Sequence, residues 1–420
     1  MDTKTLCNLI EERQDELFEL LCKLVRINSE NFGSYGNEQA CPEYIKQLCL
    51  ELGLETEMYS PLDVPDYDKH PDYLAGRHLE NRYNVSARWQ GKENTDALML
   101  MGHSDTVVIG DIGNWSFEPL AGEIRDGKIW GRGACDDKYA LATALFLIKL
   151  LKEKGFTPAK NIVFTAYCDE ELGGSNGALS AVLRYPCERV VNMDCKNFEI
   201  WHCASGGGNL VYRYHTEEAV DSAAITAKAL PVVMEVLDGF AAKRREELSK
   251  NRFYQGTIIP DTSFRYMNVQ AGNHGADLGV GMLKATFYTD KNKEEIFEEF
   301  AELEKILQQR LAPMGIIGDG FTLATRFFHY AHTESDNASI LDMQAAAREA
   351  SGRELKACAS CLSDLSVILK HGSPLAYGFG IGRDFAAYGG AHQPDEHIEC
   401  EKLVEYAKII GAYILRYLGE

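Results

Sequence analysis

The chain has no excess of basic residues, no apolar run long enough to cross a membrane and no cysteine framework. Its 420 residues carry 43 Lys and Arg against 63 Asp and Glu, a net charge of −20. Binding to nucleic acid or to an anionic membrane needs basic patches that displace counterions, so such partners are not expected. Bound divalent cations would neutralise part of this negative charge. A spanning helix needs about 20 consecutive apolar residues, and no stretch offers them. The N-terminus lacks a basic n-region and an apolar h-region. It reads Met1-Asp-Thr-Lys, followed by Leu17, Leu20, Leu21 and Leu24 at helical spacing, which predicts an amphipathic surface helix and no secretory leader. The 12 cysteines are scattered through a chain too long to depend on disulfides, which points to reduced thiols and a cytoplasmic location. Low-complexity segments and internal repeats are also absent.

The composition that remains is ordinary for a globular protein, 45% hydrophobic and 25% charged. The length exceeds the roughly 250–300 residues at which a single core stops growing, so two domains are expected. Residues 97–101 and 162–167 are short apolar runs that read as buried strands. Residues 140–154 between them are apolar around most of a helical circumference, with lysine in the last turn, and predict a buried helix. Strand, helix and strand at these lengths predict βαβ units in a mostly parallel, helix-covered sheet. The character changes at Ser205-Gly-Gly-Gly208. The following ~120 residues, a small-domain size, offer strands at 209–215 and 282–288 and a long helix at 225–248. A second helix is predicted with Thr289 or Asp290 as N-cap and Ile296, Phe300, Leu303 and Leu307 on one face. The predicted architecture is an α/β catalytic domain in two parts, 1–206 and 329–420, with a smaller α/β lid domain inserted at 207–328.

Chemistry-bearing residues gather where the apolar runs end. His103 and Asp105 follow the first strand, Asp136 follows Gly131-Arg-Gly133, Glu170 and Glu171 close the second strand, Asp194 follows Val190-Val-Asn-Met193, and His392 sits in Gly390-Ala-His-Gln-Pro-Asp-Glu396. Ligands in such sheets bind beyond the carboxyl ends of strands. Residues i and i+2 share one face of an extended strand. The Asp105 carboxylate would therefore accept one imidazole N–H of His103, fixing the tautomer that leaves the other nitrogen for a metal. Zinc accepts this mixture of imidazole and carboxylate. Asp136, after glycines that permit a tight turn, is placed to carry its charge between two cations. Adjacent glutamates on an extended strand point to opposite sides, so one can ligate while its neighbour addresses a metal-bound water. Metal-assisted hydrolysis needs that division, a cation to lower the water's pKa and a carboxylate to take its proton. Taken singly each segment is commonplace. Their joint occurrence at strand ends is not.

These segments, with Gly102-His-Ser-Asp-Thr106, Trp115-Ser-Phe-Glu-Pro119, Asp126-Gly-Lys-Ile-Trp-Gly-Arg-Gly133 and Asp136-Asp-Lys138, resemble the dinuclear-zinc metallopeptidase and deacylase superfamily. Its members include carboxypeptidase G, cytosolic dipeptidases, aminoacylase, acetylornithine deacetylase and succinyl-diaminopimelate desuccinylase. The resemblance implies two zinc ions, with cobalt or manganese as substitutes. His103 and Asp194 would hold one and Glu171 and His392 the other, with Asp136 bridging. Glu170 would be the general base acting with a metal-bridging hydroxide, and the Asp136–Asp137 peptide would be cis. Peptidases of the superfamily tend to have Asp at the position of Asp194 and N-deacylases Glu. The implied substrate is therefore a small peptide with a free carboxylate, with an N-acyl amino acid as the alternative.

The resemblance also implies a homodimer through the lid domain and, within that domain, a His-Ser-Ser-x-Pro-like segment whose histidine stabilises the oxyanion. This chain lacks that segment. His215 and His274, the latter beside Asn273, are the substitutes it offers, and Ser363 and Arg383 lie near family positions that contact substrate. Two further readings remain to be weighed. A catalytically dead binding module on the same fold sits poorly with a complete ligand set and Glu170. A thiol hydrolase using Cys135, Cys168, Cys195 or Cys203 sits poorly with a ligand set already complete in nitrogen and oxygen.

Overall fold

The computed structural model describes residues 1–217, 220–272 and 279–419. The chain divides into two compact units. The first comprises Met1–His202, His332–Ala357 and Val367–Glu420, and the second Cys203–Ala331 and Cys358–Ser366. The short stretch Cys358–Ser366, which carries Ser363, therefore lies with the second unit, although the sequence reading had drawn it into the part beginning at 329.

The first unit is built on a sheet whose strands run in the order Glu55–Tyr59, Asn84–Trp89, Lys160–Tyr167, Glu93–His103, Arg189–Asn192 and Tyr377–Phe379. The last four pair in parallel, whereas the first two join in antiparallel fashion at one edge. On its other side Tyr377–Phe379 pairs antiparallel with residues 200 and 201, so the parallel character is confined to the middle of the sheet. Side-chain alternation sends Leu98, Leu100, Ile162, Phe164 and Val191 into one buried cluster, with residues of the helices Gln14–Val25, Lys138–Glu153 and Cys400–Leu418. Met99, Met101, Val163 and Val190 enter another, with Ala178, Leu179 and Val182 of the helix Asn176–Arg184. Burial on both faces explains why these strands read as continuous apolar runs. The N-terminal leucines form the inner face of Gln14–Val25, where Leu17, Leu21 and Leu24 are fully buried. Lys138 is also buried, and its ammonium donates to the carbonyls of Leu24 at 3.0 Å and Ile27 at 2.7 Å, capping that helix. No helix among the described residues is long and apolar enough to cross a membrane.

The second unit is a four-stranded antiparallel sheet, ordered Phe264–Ala271, Val280–Thr289, Gly206–His215 and Ile317–Leu323. The helices Ser222–Lys250 and Lys293–Leu311 share its core, through Val233, Leu237 and Phe240 and through Ile296, Phe300 and Leu307. The cap of Lys293–Leu311 is Asn292, not Thr289 or Asp290. Thr289 is the last residue of its strand, and its hydroxyl accepts the Lys291 N–H. Asn292 accepts the Glu295 N–H at 2.9 Å, and the Glu295 carboxylate accepts the Asn292 N–H at 2.9 Å, a reciprocal capping box. Replacing Asn292 by Ala should lower stability by about 1 kcal/mol. Urea denaturation followed by circular dichroism measures this, and an unchanged midpoint would show that the cap contributes nothing.

Candidate metal and active site

Adjacent parallel strands deliver the site residues at their carboxyl ends. His103 ends Glu93–His103 and lies opposite Tyr167 of the neighbouring strand. Beyond Tyr167 the chain turns, with left-handed φ of 57° at Asp169 and 60° at Leu172. Glu170 and Glu171 therefore stand on a turn, not on the extended strand assumed from alternation. Gly174 admits that turn, since a Cβ there would fall 2.0 Å from the Asp169 carbonyl oxygen. Asp194 lies just past Arg189–Asn192. Asp136 precedes the helix Lys138–Glu153 and joins Asp137 through a cis peptide.

The fold brings His103, Asp136, Glu170, Glu171, Asp194 and His392 together. Asp136 Oδ1 is 3.0 Å from His103 Nε2, and its Oδ2 is 3.2 Å from His392 Nε2. Glu171 Oε2 is 2.9 Å from the same His392 nitrogen, while Oε1 accepts the Val107 N–H at 3.0 Å. Donor atoms of His103, Glu170 and Glu171 lie within 4.8 Å of one another, as do those of Asp136, Glu171 and His392 and those of His103, Asp137 and Asp194. Asp137 is an addition to the sequence reading. It is fully buried, its Oδ2 accepts the His103 backbone N–H at 3.3 Å, and its Oδ1 has no hydrogen-bond partner.

Burial opposes a proton on either histidine, but the surrounding carboxylates prevail. Asp136 and Glu170 hold His103 well above its ordinary range, and Glu171 with Asp136 pushes His392 up to about 11. Burial would raise Asp136, yet the two imidazoles hold it far below the usual carboxylate range. Asp194, raised by burial and by Asp136 and Glu171 against the pull of His103, reaches about 7. The site draws positive charge to the places where a cation would meet a neutral imidazole. The donor separations of 2.9–3.2 Å approach the spacing of about 3.3 Å between neighbouring ligands of a tetrahedral zinc with bonds near 2.0–2.1 Å. No thiol joins a ligand group among the described residues, and Cys135, Cys168, Cys195 and Cys203 are buried. Burial pushes the Cys203 thiol up to about 12. The donor set thus fits a pair of divalent cations with Asp136 between them, and nitrogen and oxygen ligands suit zinc, cobalt or manganese. His70, Asp72 and His371 form a similar group elsewhere, but there the Lys370 ammonium already lies 3.1 Å from Asp72 Oδ2.

Several expectations require correction. Asp105 does not orient His103 through its carboxylate. His103 Nδ1 is 2.9 Å from the Asp105 backbone carbonyl and 3.8 Å from the carboxylate. The carboxylate is claimed by N–H donors of the glutamate turn, Glu170 at 3.1 Å and Glu171 at 3.0 Å, and by the Asn31 amide at 2.8 Å. Arg383 is paired with Glu399 and donates to the Tyr388 carbonyl at 3.1 Å, so its guanidinium is already engaged. The Ser363 hydroxyl donates to Ser360 Oγ at 3.4 Å within the second unit. His215 is held by Asp319 at 2.6 Å. Asn273 and His274 lie outside the described residues.

Supporting contacts that the sequence reading missed fall inside the segments it quoted. Glu396 Oε2 pairs with Arg132 Nη1 at 2.6 Å, and its Oε1 accepts the Cys135 N–H at 2.9 Å. That carboxylate ties the His392 segment to the Asp136 segment. Asp395 likewise accepts the Ser116 N–H and hydroxyl, each at 2.7 Å.

A chain with this fold and donor set matches the family model described as Peptidase family M20/M25/M40 over residues 99–416, and it belongs to that family. The protein named probable carboxypeptidase S-like 2 of Dictyostelium discoideum is 32% identical over 167 residues, 39% of this chain and 30% of that relative. A succinyl-diaminopimelate desuccinylase of Acinetobacter baylyi is 26% identical over 251 residues, 56% of this chain and 64% of that relative. This chain therefore spans less than two thirds of either relative. Human carnosine dipeptidase 1 shares the fold with a TM-score of 0.73 at 14% identity, covering 99% of this chain and 98% of that one.

Arg132 and Glu396 are both almost fully buried. Arg132→Met strands a buried carboxylate and should cost about 3–5 kcal/mol. Adding Glu396→Leu should recover part of that loss. Urea titrations of the single and double variants test this, and a double variant no more stable than Arg132→Met would refute the pairing.

Proposed function

We propose that this protein is a metal-dependent hydrolase that cleaves the amide bond of small peptides bearing a free carboxylate, in the manner of a dipeptidase or carboxypeptidase. The observation that carries this reading is Asp136, with one carboxylate oxygen against His103 and the other against His392. On this reading His103 and Asp194 hold one zinc, Glu171 and His392 hold the other, and Asp136 is shared. The bound metals would lower the pKa of water and polarise the substrate carbonyl. Glu170 is the carboxylate left over. It takes the proton of the attacking water and delivers it to the leaving amine nitrogen. Asp105 fixes the backbone from which Glu170 and Glu171 project, and its carbonyl selects the His103 tautomer that presents Nε2.

Similarity to a desuccinylase favours a second reading, an N-acyl-amino-acid deacylase with the same residues in the same roles. None of the 12 cysteines stands in a disulfide, which supports a reducing, cytoplasmic setting. A homodimer through the second unit is also proposed. The strand Phe264–Ala271 is an edge of its sheet and exposes Met267 and Val269, and such an edge is open to pairing.

The purified protein should contain about two equivalents of metal, as a two-metal site requires. It should cleave dipeptides in preference to N-acetyl and N-succinyl amino acids and lose activity to chelators. Turnover of N-acyl substrates alone would transfer the assignment to the deacylase, and metal-independent turnover blocked by alkylation would sink both. Glu170→Gln should lower kcat by about 10²–10⁴-fold with metal retained. Undiminished kcat in that variant would remove Glu170 from the chemistry.

A further inference from the structure

Beneath the glutamate turn lies a buried cluster of acidic and basic side chains that hydrolysis does not itself use. Glu38, Arg82 and Asp169 are fully buried. Arg82 Nε is 2.6 Å from Glu38 Oε1, and its Nη1 is 2.9 Å from Asp169 Oδ1. The second oxygen of Glu38 accepts the Asp169 N–H at 3.1 Å. Arg77 Nε reaches Asp169 Oδ1 at 2.8 Å, and Asn176 Nδ2 reaches Asp169 Oδ2 at 3.0 Å. The same Arg77 donates from Nη2 to the Glu171 carbonyl at 2.8 Å, and the Asn31 amide, already on Asp105, donates to that carbonyl at 3.1 Å. Gly36 leaves the room required, for a Cβ there would fall 2.5 Å from Glu38 Oε1.

Side chains therefore hold each backbone N–H from Asp169 to Glu171, together with the Glu171 carbonyl. Merely filling this volume would not call for ions, since apolar packing of the same size often stabilises a core as well or better. Ions and amides add direction. They pin a left-handed residue and the two peptide units that follow it. We propose that Arg82, clamped between Glu38 and Asp169, and Asn31, on the other side of the turn, are positioning residues that aim the Glu170 and Glu171 carboxylates at the reacting centre. The inference rests on the hydrolytic reading of Glu170 and Glu171.

The test uses the full-length, metal-loaded protein with Arg82→Lys, which keeps the charge but loses the planar fork, and Asn31→Ala, a neutral truncation. Each is compared with the parent and with Glu170→Gln for kcat, KM, metal affinity by chelator competition, and the fraction of active molecules. The expected result is a loss of about 10- to 100-fold, the size of a displacement near 1 Å. It should fall on kcat with KM changed by less than about threefold, or on metal affinity where Glu171 is the group that shifts. Parent values of kcat and metal affinity per active molecule in both variants overturn the proposal, including where only the active fraction declines. If Arg82→Lys does not fold, Asn31→Ala decides alone. An inactive Glu170→Gln beside fully active positioning variants defeats this inference only, whereas a fully active Glu170→Gln defeats the hydrolytic reading beneath it.

Discussion

Parallel strands bring their carboxyl ends to one side of the sheet, and here that side collects more negative charge than a protein interior tolerates unaided. Among the described residues Asp136, Asp137, Glu170, Glu171 and Asp194 gather around the imidazoles of His103 and His392, and much of the cluster is buried. Charges a few ångströms apart in a medium poorer than water repel strongly. The structure answers in two different ways. Toward the reacting centre the carboxylates gather around two histidines, which are driven to take up positive charge. Underneath and beside it, permanent cations are built in: Arg77 and Arg82 under the glutamate turn and Arg132 against Glu396. A guanidinium cannot be deprotonated and presents several donors in a plane, so it suits the supporting positions.

The same contrast separates what could be read from the chain from what could not. The apolar runs before His103 and Glu170, the helical stretch between them and the gathering of His, Asp and Glu near strand ends are local patterns, and the structure has those strands and that helix in place with these side chains close together. Alternation failed one step further on, because it extends a strand past its end. The left-handed Asp169 ends the alternation before the glutamates are reached. It failed again at Asp105, whose carboxylate is two residues from His103 yet serves the backbone 65 and 66 residues away. Arg132 and Glu396 stand in quoted segments, but their pairing spans 264 residues. Glu38 and Arg82 carry no local signal at all, for a charged residue in an ordinary polar stretch reads as surface. The Asn292 cap was missed for a smaller reason, that a strand ending at Thr289 needs three residues to turn into the helix.

Arg383 bears on selectivity. Its guanidinium is paired with Glu399. Peptidase and deacylase readings share the same donor set, and on either reading the substrate carries a carboxylate toward a strongly acidic cluster. Burial and the neighbouring Asp194 push the Asp137 carboxyl well above the usual range, toward its neutral form. Asp136, Glu170, Glu171 and Asp194 are the other carboxylates of the cluster, around two imidazoles held toward their charged form. Before the metals bind, a substrate with a free carboxylate would approach a region of net negative potential on a chain of net charge −20. Divalent cations held by these residues would offset that repulsion and supply an electrophilic centre. On the proposed reading the carboxylates and imidazoles that would hold the metals therefore also set the charge that an entering substrate meets.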